Sequence, residues 1–285
     1  MKLERTTSKI ISYFKISRPI NILLGSTAVL ISATFFQNFP DILNIIFAMM
    51  VVMFLNAGAN CVNDIYDIEI DKINRPNRSL PAGKLSINEV KNFAVILFLI
   101  GNGISFYLGN FPFIISLIIA TPLMVLYASK LKKIALIGNL LVSFILGLTF
   151  IFASTVFGNY MIGVVPAVLA FLLTLIREIV KDMEDIDGDK KYGANTLPIF
   201  LGIERTKIIV SALMMLLVVV IIIPYLMGIY GIYYLLVVMN SIGIPMIFMI
   251  FYIFISRNKN KYSLLAKVLK VEIFFGLLSI YLGKF

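Results

Sequence analysis

Aspartates recur with one spacing, D-x-x-D-x-x-x-D, in two distant segments, "NDIYDIEID" at residues 63–71 (motif 1) and "KDMEDIDGD" at residues 181–189 (motif 2). The six aspartates, which repeat at a constant offset of 118 residues, are Asp64, Asp67, Asp71, Asp182, Asp185 and Asp189. Carboxylates held this close repel one another unless a cation neutralises them. Mg²⁺ accepts carboxylate oxygens and commonly completes its shell with substrate phosphates. The pattern therefore predicts metal ions at both motifs, with a diphosphate held between them.

The two motifs belong to longer repeated segments, 63–81 and 181–198. The tripeptide SLP that follows motif 1 corresponds to TLP after motif 2. Because positions i, i+3 and i+7 share one face of a helix, each triad is expected to direct its three carboxylates one way. Alternatively, the acids are solvated charges that balance nearby Lys and Arg. The duplicated spacing favours the metal site, and the carboxylates expected to be essential for catalysis are Asp64, Asp67, Asp182 and Asp185.

The composition is typical of an integral membrane protein. Of 285 residues, 60% are hydrophobic and 14% are charged, and the mean hydropathy is +0.98, which exceeds what a soluble domain can bury. A span needs roughly 20 mainly apolar residues. We therefore predict an all-α protein with nine transmembrane helices in a single domain, residues 1–285. The expected spans are 20–37, 42–61, 92–109, 112–129, 134–157, 160–180, 207–227, 231–255 and 263–282.

Lys and Arg residues indicate on which side of the membrane each short connection lies. With nine spans, 24 of the 25 basic residues fall on one face, and Lys284 falls on the other. This distribution predicts a cytoplasmic N-terminus and an external C-terminus in the cell membrane. Four spans separate the motifs, so both are expected to face the cytoplasm, as in a parallel duplication of a four-helix unit.

The residue types that are missing exclude several kinds of site. With no histidine and one cysteine, Cys61, the chain has no imidazole or thiolate metal cage, so any metal must be bound by oxygen. The net charge is +10, but the chain has no soluble basic domain that could carry a nucleic-acid site. Attraction of cytoplasmic Lys and Arg to anionic lipid headgroups explains the positive charge more simply. The N-terminus has no apolar region next to a cleavage site, which argues against a removable signal peptide. Nothing in the sequence requires an obligate protein partner.

Over nearly its whole length the chain resembles the UbiA superfamily of intramembrane prenyltransferases. Motif 1 with the following "NRSLPAG" is similar to the first family signature and motif 2 to the second, and "SRPIN" and "LYASKLKK" also look like family elements. One departure is Ser79, where the family usually has proline, which should loosen that turn. The resemblance implies a helical bundle with a central cavity, two Mg²⁺ ions at its cytoplasmic mouth and an isoprenyl tail running into the membrane.

The candidates for substrate binding are polar residues near the motifs. Arg18 and Asn21 begin the first span, where the resemblance places acceptor contacts, and Asn60 and Asn63 lie beside the first acids. The two asparagines have an alternative role in hydrogen bonds between helices. Phosphate-binding candidates, each of which is alternatively an interfacial anchor, are Arg78, Lys130, Lys132, Lys133 and Lys181. Glu178 could extend the acid cluster or pair with Arg177 or Lys181.

The chemistry expected at such a mouth is ionisation of an allylic diphosphate, with an apolar cavity that protects the cation from water. The motif strings look most like those of archaeal members that transfer a geranylgeranyl group to the free hydroxyl of geranylgeranylglyceryl phosphate in ether lipid biosynthesis. The alternative acceptor is an aromatic quinone precursor such as 4-hydroxybenzoate. A cation transporter is less favoured, because transporters place such acids near the midplane. The expected partners are an isoprenyl diphosphate, a lipid phosphate acceptor and membrane lipids.

Overall fold

The computed structural model describes residues 2–191, 193–255 and 260–283, and over these residues the chain is almost entirely helical. The helices are numbered here in chain order, with shorter helical turns left unnumbered. They are α1 (Lys2–Ile16), α2 (Pro19–Thr34), α3 (Ile42–Tyr66), α4 (Ile68–Asn74), α5 (Ile87–Tyr107), α6 (Asn110–Ser129), α7 (Ile137–Val156), α8 (Tyr160–Glu184), α9 (Ile186–Lys191), α10 (Leu197–Leu201), α11 (Ile203–Leu226), α12 (Ile232–Ile255) and α13 (Asn260–Leu282). Three of the 25 basic residues counted in the topology argument lie outside the described residues: Arg257, Lys259 and Lys284.

Seven of the described helices are long and apolar enough to cross a membrane: α3, α5, α6, α7, α8, α11 and α12. Helix α2 has only 16 residues and reaches spanning length together with Lys9–Ile16, from which it is bent by 50°. Helix α13 has 23 residues but carries Lys261, Lys267, Lys270 and Glu272 along its length. Each expected span is thus occupied by a helix, while the count of nine membrane crossings is not confirmed.

The helix starts follow from local sequence. Ser86 caps α5, its side chain accepting from the Glu89 backbone N–H while the Glu89 carboxylate accepts from the Ser86 N–H, which satisfies two otherwise unpaired donors. Asp41 caps α3 by accepting from the Leu43 N–H at 2.8 Å. Pro19 occupies the first turn of α2, where its missing N–H costs no hydrogen bond.

The buried apolar residues form two main clusters. One joins α3, α6 and α7 through residues such as Val52, Met124 and Ile145, and the other joins α8, α11, α12 and α13. Helix α2 contributes Val29 to the first cluster and Ile31 to the second. A third, smaller cluster between α3 and α5 contains Cys61, which is fully buried. The bundle therefore has two halves with α2 between them.

Each acid motif spans two helices, so the expectation that a triad lies on one continuous helix is wrong. Helix α3 ends at Tyr66, Asp67 has φ −95° and ψ 1°, and α4 begins at the next residue. Motif 2 repeats this break, since Asp185 has φ −92° and ψ 7° between α8 and α9. Aspartate favours helix ends over helix interiors because its side chain competes for backbone hydrogen bonds. The second aspartate of each triad therefore stands at a break between two helices.

Candidate active site

A cavity of about 580 Å³ lies between the two halves of the bundle. Its apolar wall includes Met124 and Ile145 from the first half and Leu173, Leu217 and Ile242 from the second. At one end the described lining residues include six basic side chains and one carboxylate: Arg18, Arg75, Arg78, Arg177, Lys181, Lys270 and Glu178. The volume is ordinary for a small-molecule site, and the charge favours an anionic group attached to an apolar tail.

Motif 1 is tied to this charged end by arginines. Asp64 is buried and accepts from both Arg18 and Arg78, the latter at 3.3 Å between Nη1 and Oδ1. The same Arg78 nitrogen donates to Asp71 Oδ2 at 2.6 Å. One guanidinium thus holds the first and third carboxylates of the triad.

Asp67 faces a different cation. Lys132, from the turn between α6 and α7, donates to Asp67 and also to Asn63 Oδ1 at 3.1 Å. Burial lowers the pKa of the Lys132 ammonium, and the neighbouring Asp67 opposes this shift. Lys130 and Lys133 are exposed and are not among the described residues that line the cavity. Of the three lysines in this turn, only Lys132 reaches motif 1.

Motif 2 lies near motif 1. Asp182 accepts from Asn139 Nδ2 of α7 at 2.8 Å. Burial, reinforced by the charge of Asp185, raises the pKa of Asp189 to about 6, and Asp67 of motif 1 adds to the same effect. Burial also raises the pKa of Asp185, while the charges of Lys181 and Arg75 lower it. The two acid motifs are therefore close enough for their charges to interact.

Two further predicted residues, Arg18 and Asn60, meet at the bend between α1 and α2. Arg18 has the left-handed backbone angles φ 55° and ψ 71° and stands directly before Pro19. Asn60 donates from Nδ2 to the backbone oxygen of Ser17 at 2.9 Å. It also lines the cavity, as do Asn21 and Asn63. Asn60 thus makes a helix-to-helix hydrogen bond and contributes to the cavity wall.

The profile of the UbiA prenyltransferase family matches residues 23–275 of the chain. The chain belongs to this family. With seven apolar helices of spanning length among the described residues, this UbiA family member is an integral membrane protein.

Similar proteins cover nearly the whole chain. The digeranylgeranylglyceryl phosphate synthase of Methanocaldococcus jannaschii is 36% identical over 280 residues, 96% of each chain. That of Methanosphaera stadtmanae is 35% identical over 279 residues, 95% of this chain and 98% of the relative. A solved structure from work on digeranylgeranylglyceryl phosphate synthase in membranes superposes with a TM-score of 0.78 at 35% identity, covering 97% of this chain and 98% of that one.

A second solved structure shows the same fold at lower identity. It is a UbiA homologue from Archaeoglobus fulgidus bound to DMAPP and Mg²⁺, with a TM-score of 0.70 at 18% identity, and the match covers 94% of this chain and 99% of that one. The UbiA fold of the present chain is therefore supported by both near and distant relatives.

Several residues at this site were not predicted from the sequence. Arg75 and Lys270, which line the cavity, and Asn139, which contacts Asp182, are far from the quoted motifs along the chain or carry no spacing that marks them. Asn139 and Lys270 nevertheless lie inside apolar helices or expected spans, where a polar side chain signals function. Of the two alternatives for Glu178, pairing is observed: its carboxylate contacts Arg177 and, at 3.5 Å, Lys181.

The six motif carboxylates suit a hard cation in donor type, although they are not gathered around one point. Among the described residues, no group of three acidic, histidine or cysteine side chains is close enough to surround one ion. The described lining of the cavity contains none of the six aspartates. The aspartates are next to the charged end, because the lining residues Arg18 and Arg78 contact Asp64 and the lining residue Lys181 interacts with Asp182. Mg²⁺ typically takes only one or two carboxylates and fills its shell with water and substrate phosphates. This arrangement therefore fits Mg²⁺ that arrives with a phosphorylated ligand.

Proposed function

We propose that the chain transfers a geranylgeranyl group from geranylgeranyl diphosphate to the free hydroxyl of geranylgeranylglyceryl phosphate, releasing diphosphate, in archaeal ether lipid biosynthesis. The observation that carries the proposal is one cavity with a strongly basic end and an apolar interior, beside two acid motifs. The relatives named digeranylgeranylglyceryl phosphate synthase, which match nearly the whole chain at about one-third identity, support this choice of acceptor.

Two Mg²⁺ ions are proposed at the motifs, held by Asp64, Asp67 and Asp71 on one side and by Asp182, Asp185 and Asp189 on the other. When bound there, Mg²⁺ would neutralise the negative charge that develops on the departing diphosphate. The carboxylates considered essential are Asp64, Asp67, Asp182 and Asp185. Asn139 orients the Asp182 carboxylate, because its side-chain amide donates to that carboxylate.

The basic side chains at the same end bind and orient the diphosphate. Arg78, Lys132 and Lys181 lie beside the motif carboxylates, and Arg78 can offer a phosphate two parallel hydrogen bonds. Asn21, Asn60, Asn63, Lys130 and Lys133 are proposed to contribute to substrate binding at the mouth. These contacts hold the phosphates at the charged end while the prenyl chain lies in the apolar interior.

The cavity walls protect the reaction from water. The allylic C–O bond breaks with its electron pair leaving on the diphosphate, and the acceptor hydroxyl oxygen donates a lone pair to the same carbon. The hydroxyl proton passes to the released diphosphate, which completes the ether. An interior lined by Leu173, Leu217 and Ile242 keeps water from capturing the allylic cation before the hydroxyl does.

The same proposal includes the orientation of the chain. The N-terminus and the motifs face the cytoplasm, the C-terminus is external, and the membrane is the plasma membrane, as the distribution of basic residues predicts. Residues 1–285 form a single prenyltransferase domain with an internal repeat at 63–81 and 181–198. The matching helix breaks at Asp67 and Asp185 support the repeat.

The experiment uses purified chain in lipid nanodiscs with geranylgeranyl diphosphate and Mg²⁺. Three acceptors are compared: geranylgeranylglyceryl phosphate, uncharged geranylgeranylglycerol and 4-hydroxybenzoate, with product masses and released pyrophosphate both measured. We expect the phosphorylated ether to be prenylated fastest, with turnover lost in excess chelator. Preferred prenylation of 4-hydroxybenzoate would assign the chain to the quinone branch instead, and Mg²⁺ flux into liposomes without pyrophosphate release would indicate a transporter.

A further inference from the structure

Two basic residues at the charged end of the cavity are set apart from the acid motifs. Arg177 on α8 and Lys270 on α13 both line the cavity. In the described part of the chain, neither pairs with any of the six motif aspartates, whereas Arg18 and Lys132 each contact one and Arg78 contacts two. The positive charge at this end therefore falls into two groups, only one of which is associated with motifs 1 and 2.

The Arg177–Lys270 pair has unused hydrogen-bonding capacity. Arg177 donates from Nη1 to Glu178, while its Nε is buried and has no hydrogen-bond partner among the described residues. A guanidinium offers five donors, and a buried donor left without an acceptor is costly. Lys270 makes no ion pair within the described residues and lies close enough to Arg177 and Arg18 to be repelled by their charges.

An anion in the cavity can accept from the Nη donors of Arg177 and from the Lys270 ammonium, because both residues line it. The one carboxylate in the described cavity lining, Glu178, already contacts Arg177 and Lys181. Arg177 precedes Asp182 by five residues on α8, so it lies roughly 7 Å deeper along the helix axis. An anion bound there sits beside the start of a prenyl chain whose diphosphate is at the motifs. This is the position that a second, phosphorylated substrate would occupy during transfer.

We propose that Arg177 and Lys270 form a phosphomonoester subsite that binds the phosphate of the acceptor, separately from the diphosphate of the donor. The inference rests on the proposed function, because it supplies the contact that distinguishes a phosphorylated acceptor from a neutral one. The planar guanidinium can donate to two phosphate oxygens side by side, and the ammonium adds a point charge from the facing helix. This subsite takes over the acceptor contact that was expected at Arg18, because the Arg18 guanidinium is bound to Asp64.

The test measures ligand binding to the full chain in nanodiscs without Mg²⁺ and without donor, so that it does not depend on turnover. The probes are geranylgeranylglyceryl phosphate, geranylgeranylglycerol and inorganic phosphate. We expect Lys270→Ala and Arg177→Gln to weaken binding of the phosphorylated lipid by about tenfold or more, since hydrogen bonds to charged groups are at stake. Neither variant should change binding of the uncharged lipid. Inorganic phosphate that competes in wild type but not in Lys270→Ala would show that the phosphate itself is recognised.

Lys267→Ala is the matched control, because Lys267 lies one turn earlier on α13 and is exposed. Lys270→Arg should bind the phosphorylated lipid with most of the wild-type affinity, which a purely structural role of Lys270 would not predict. If Arg177→Gln does not fold, the Lys270 variants alone test the subsite. The inference is overturned if Lys270→Ala binds the phosphorylated lipid as wild type does, or if the variants weaken both lipids equally. If the phosphorylated lipid binds through Lys270 but is never prenylated, the proposed function fails and the subsite stands.

Discussion

Arg78 shows how motif 1 is neutralised at the level of single residues. Its guanidinium contacts Asp64 and Asp71 at once, and Lys132 holds Asp67. The spacing of the aspartates and the nearby Arg78 could be recognised in the sequence, because these residues are close along the chain. The partners Lys132 and Asn139 could not be assigned in this way, since they lie 65 and 43 residues from the aspartates that they contact. Such contacts depend on how the helices pack.

The first prediction concerns the motif carboxylates. We expect Asp67→Ala and Asp185→Ala each to reduce turnover by at least about a hundredfold, because metal polarisation of a leaving group is worth several kcal/mol. Glu69→Ala is the control: Glu69 lies within motif 1 but is exposed and contacts only Lys72. Steady-state pyrophosphate release measures the effect, and thermal unfolding in detergent checks the fold. Near wild-type turnover in both aspartate variants would leave the acids with no role in catalysis.

At the level of elements, apolar runs located the helices well, whereas breaks and bends were not foreseen. Helix α3 continues five residues past the expected span, and the helix break at Asp67 follows from backbone geometry that periodicity does not reveal. The bend at Arg18 is similar, since Pro19 predicts a helix start but not the left-handed residue before it. Helix α13 was expected as an apolar span, yet its Lys270 faces the cavity.

The second prediction tests the bend. Arg18→Ala and Arg18→Gly both remove the guanidinium from Asp64, but only glycine adopts a positive φ without steric cost. We therefore expect the glycine variant to be more stable than the alanine variant by about 1 kcal/mol, measured by thermal unfolding. Turnover should be low in both. Equal stability of the two variants would mean that the backbone at residue 18 is not strained.

The third prediction concerns the contact between α7 and α8. A Cβ added at Gly147 would lie 2.8 Å from the backbone oxygen of Ala167, so the two helices touch through this glycine. Gly147→Ala should destabilise the protein by about 1–3 kcal/mol, since overpacking moves the backbone. Gly103→Ala is the control, because a Cβ there meets no neighbour within 4 Å, and it should be neutral or stabilising by up to about 1 kcal/mol. Similar melting temperatures for both variants would contradict the close approach.

At the level of the whole molecule, the cavity extends along most of the bundle. Its lining on α8 runs from Pro166 to Lys181, which is roughly 22 Å at 1.5 Å per residue, compared with about 30 Å for the hydrocarbon core. The resemblance carried by the motifs predicted a central cavity. The residues that line its deeper part are apolar and belong to no motif. Nothing in their sequence pattern distinguishes a wall residue from a packed one.

The fourth prediction tests this depth. Ala170 lines the cavity, and Ala170→Trp would fill part of its apolar interior. We expect transfer of the geranylgeranyl group to fall by about tenfold or more, with a smaller loss for a shorter donor such as dimethylallyl diphosphate. Val168→Trp is the control, because Val168 is exposed on the same helix. An equal loss for long and short donors would argue that the tail does not occupy this part of the cavity.

The burial of Cys61 has a practical consequence for determining orientation. As the one thiol in the chain is fully buried, the natural protein already serves as an unlabelled background for cysteine scanning. Lys84→Cys, in the exposed connection before α5, and Tyr160→Cys, exposed at the start of α8, are reporters at opposite ends of the bundle. In sealed right-side-out vesicles an impermeant maleimide should modify the second and spare the first, and in inverted vesicles the pattern should reverse.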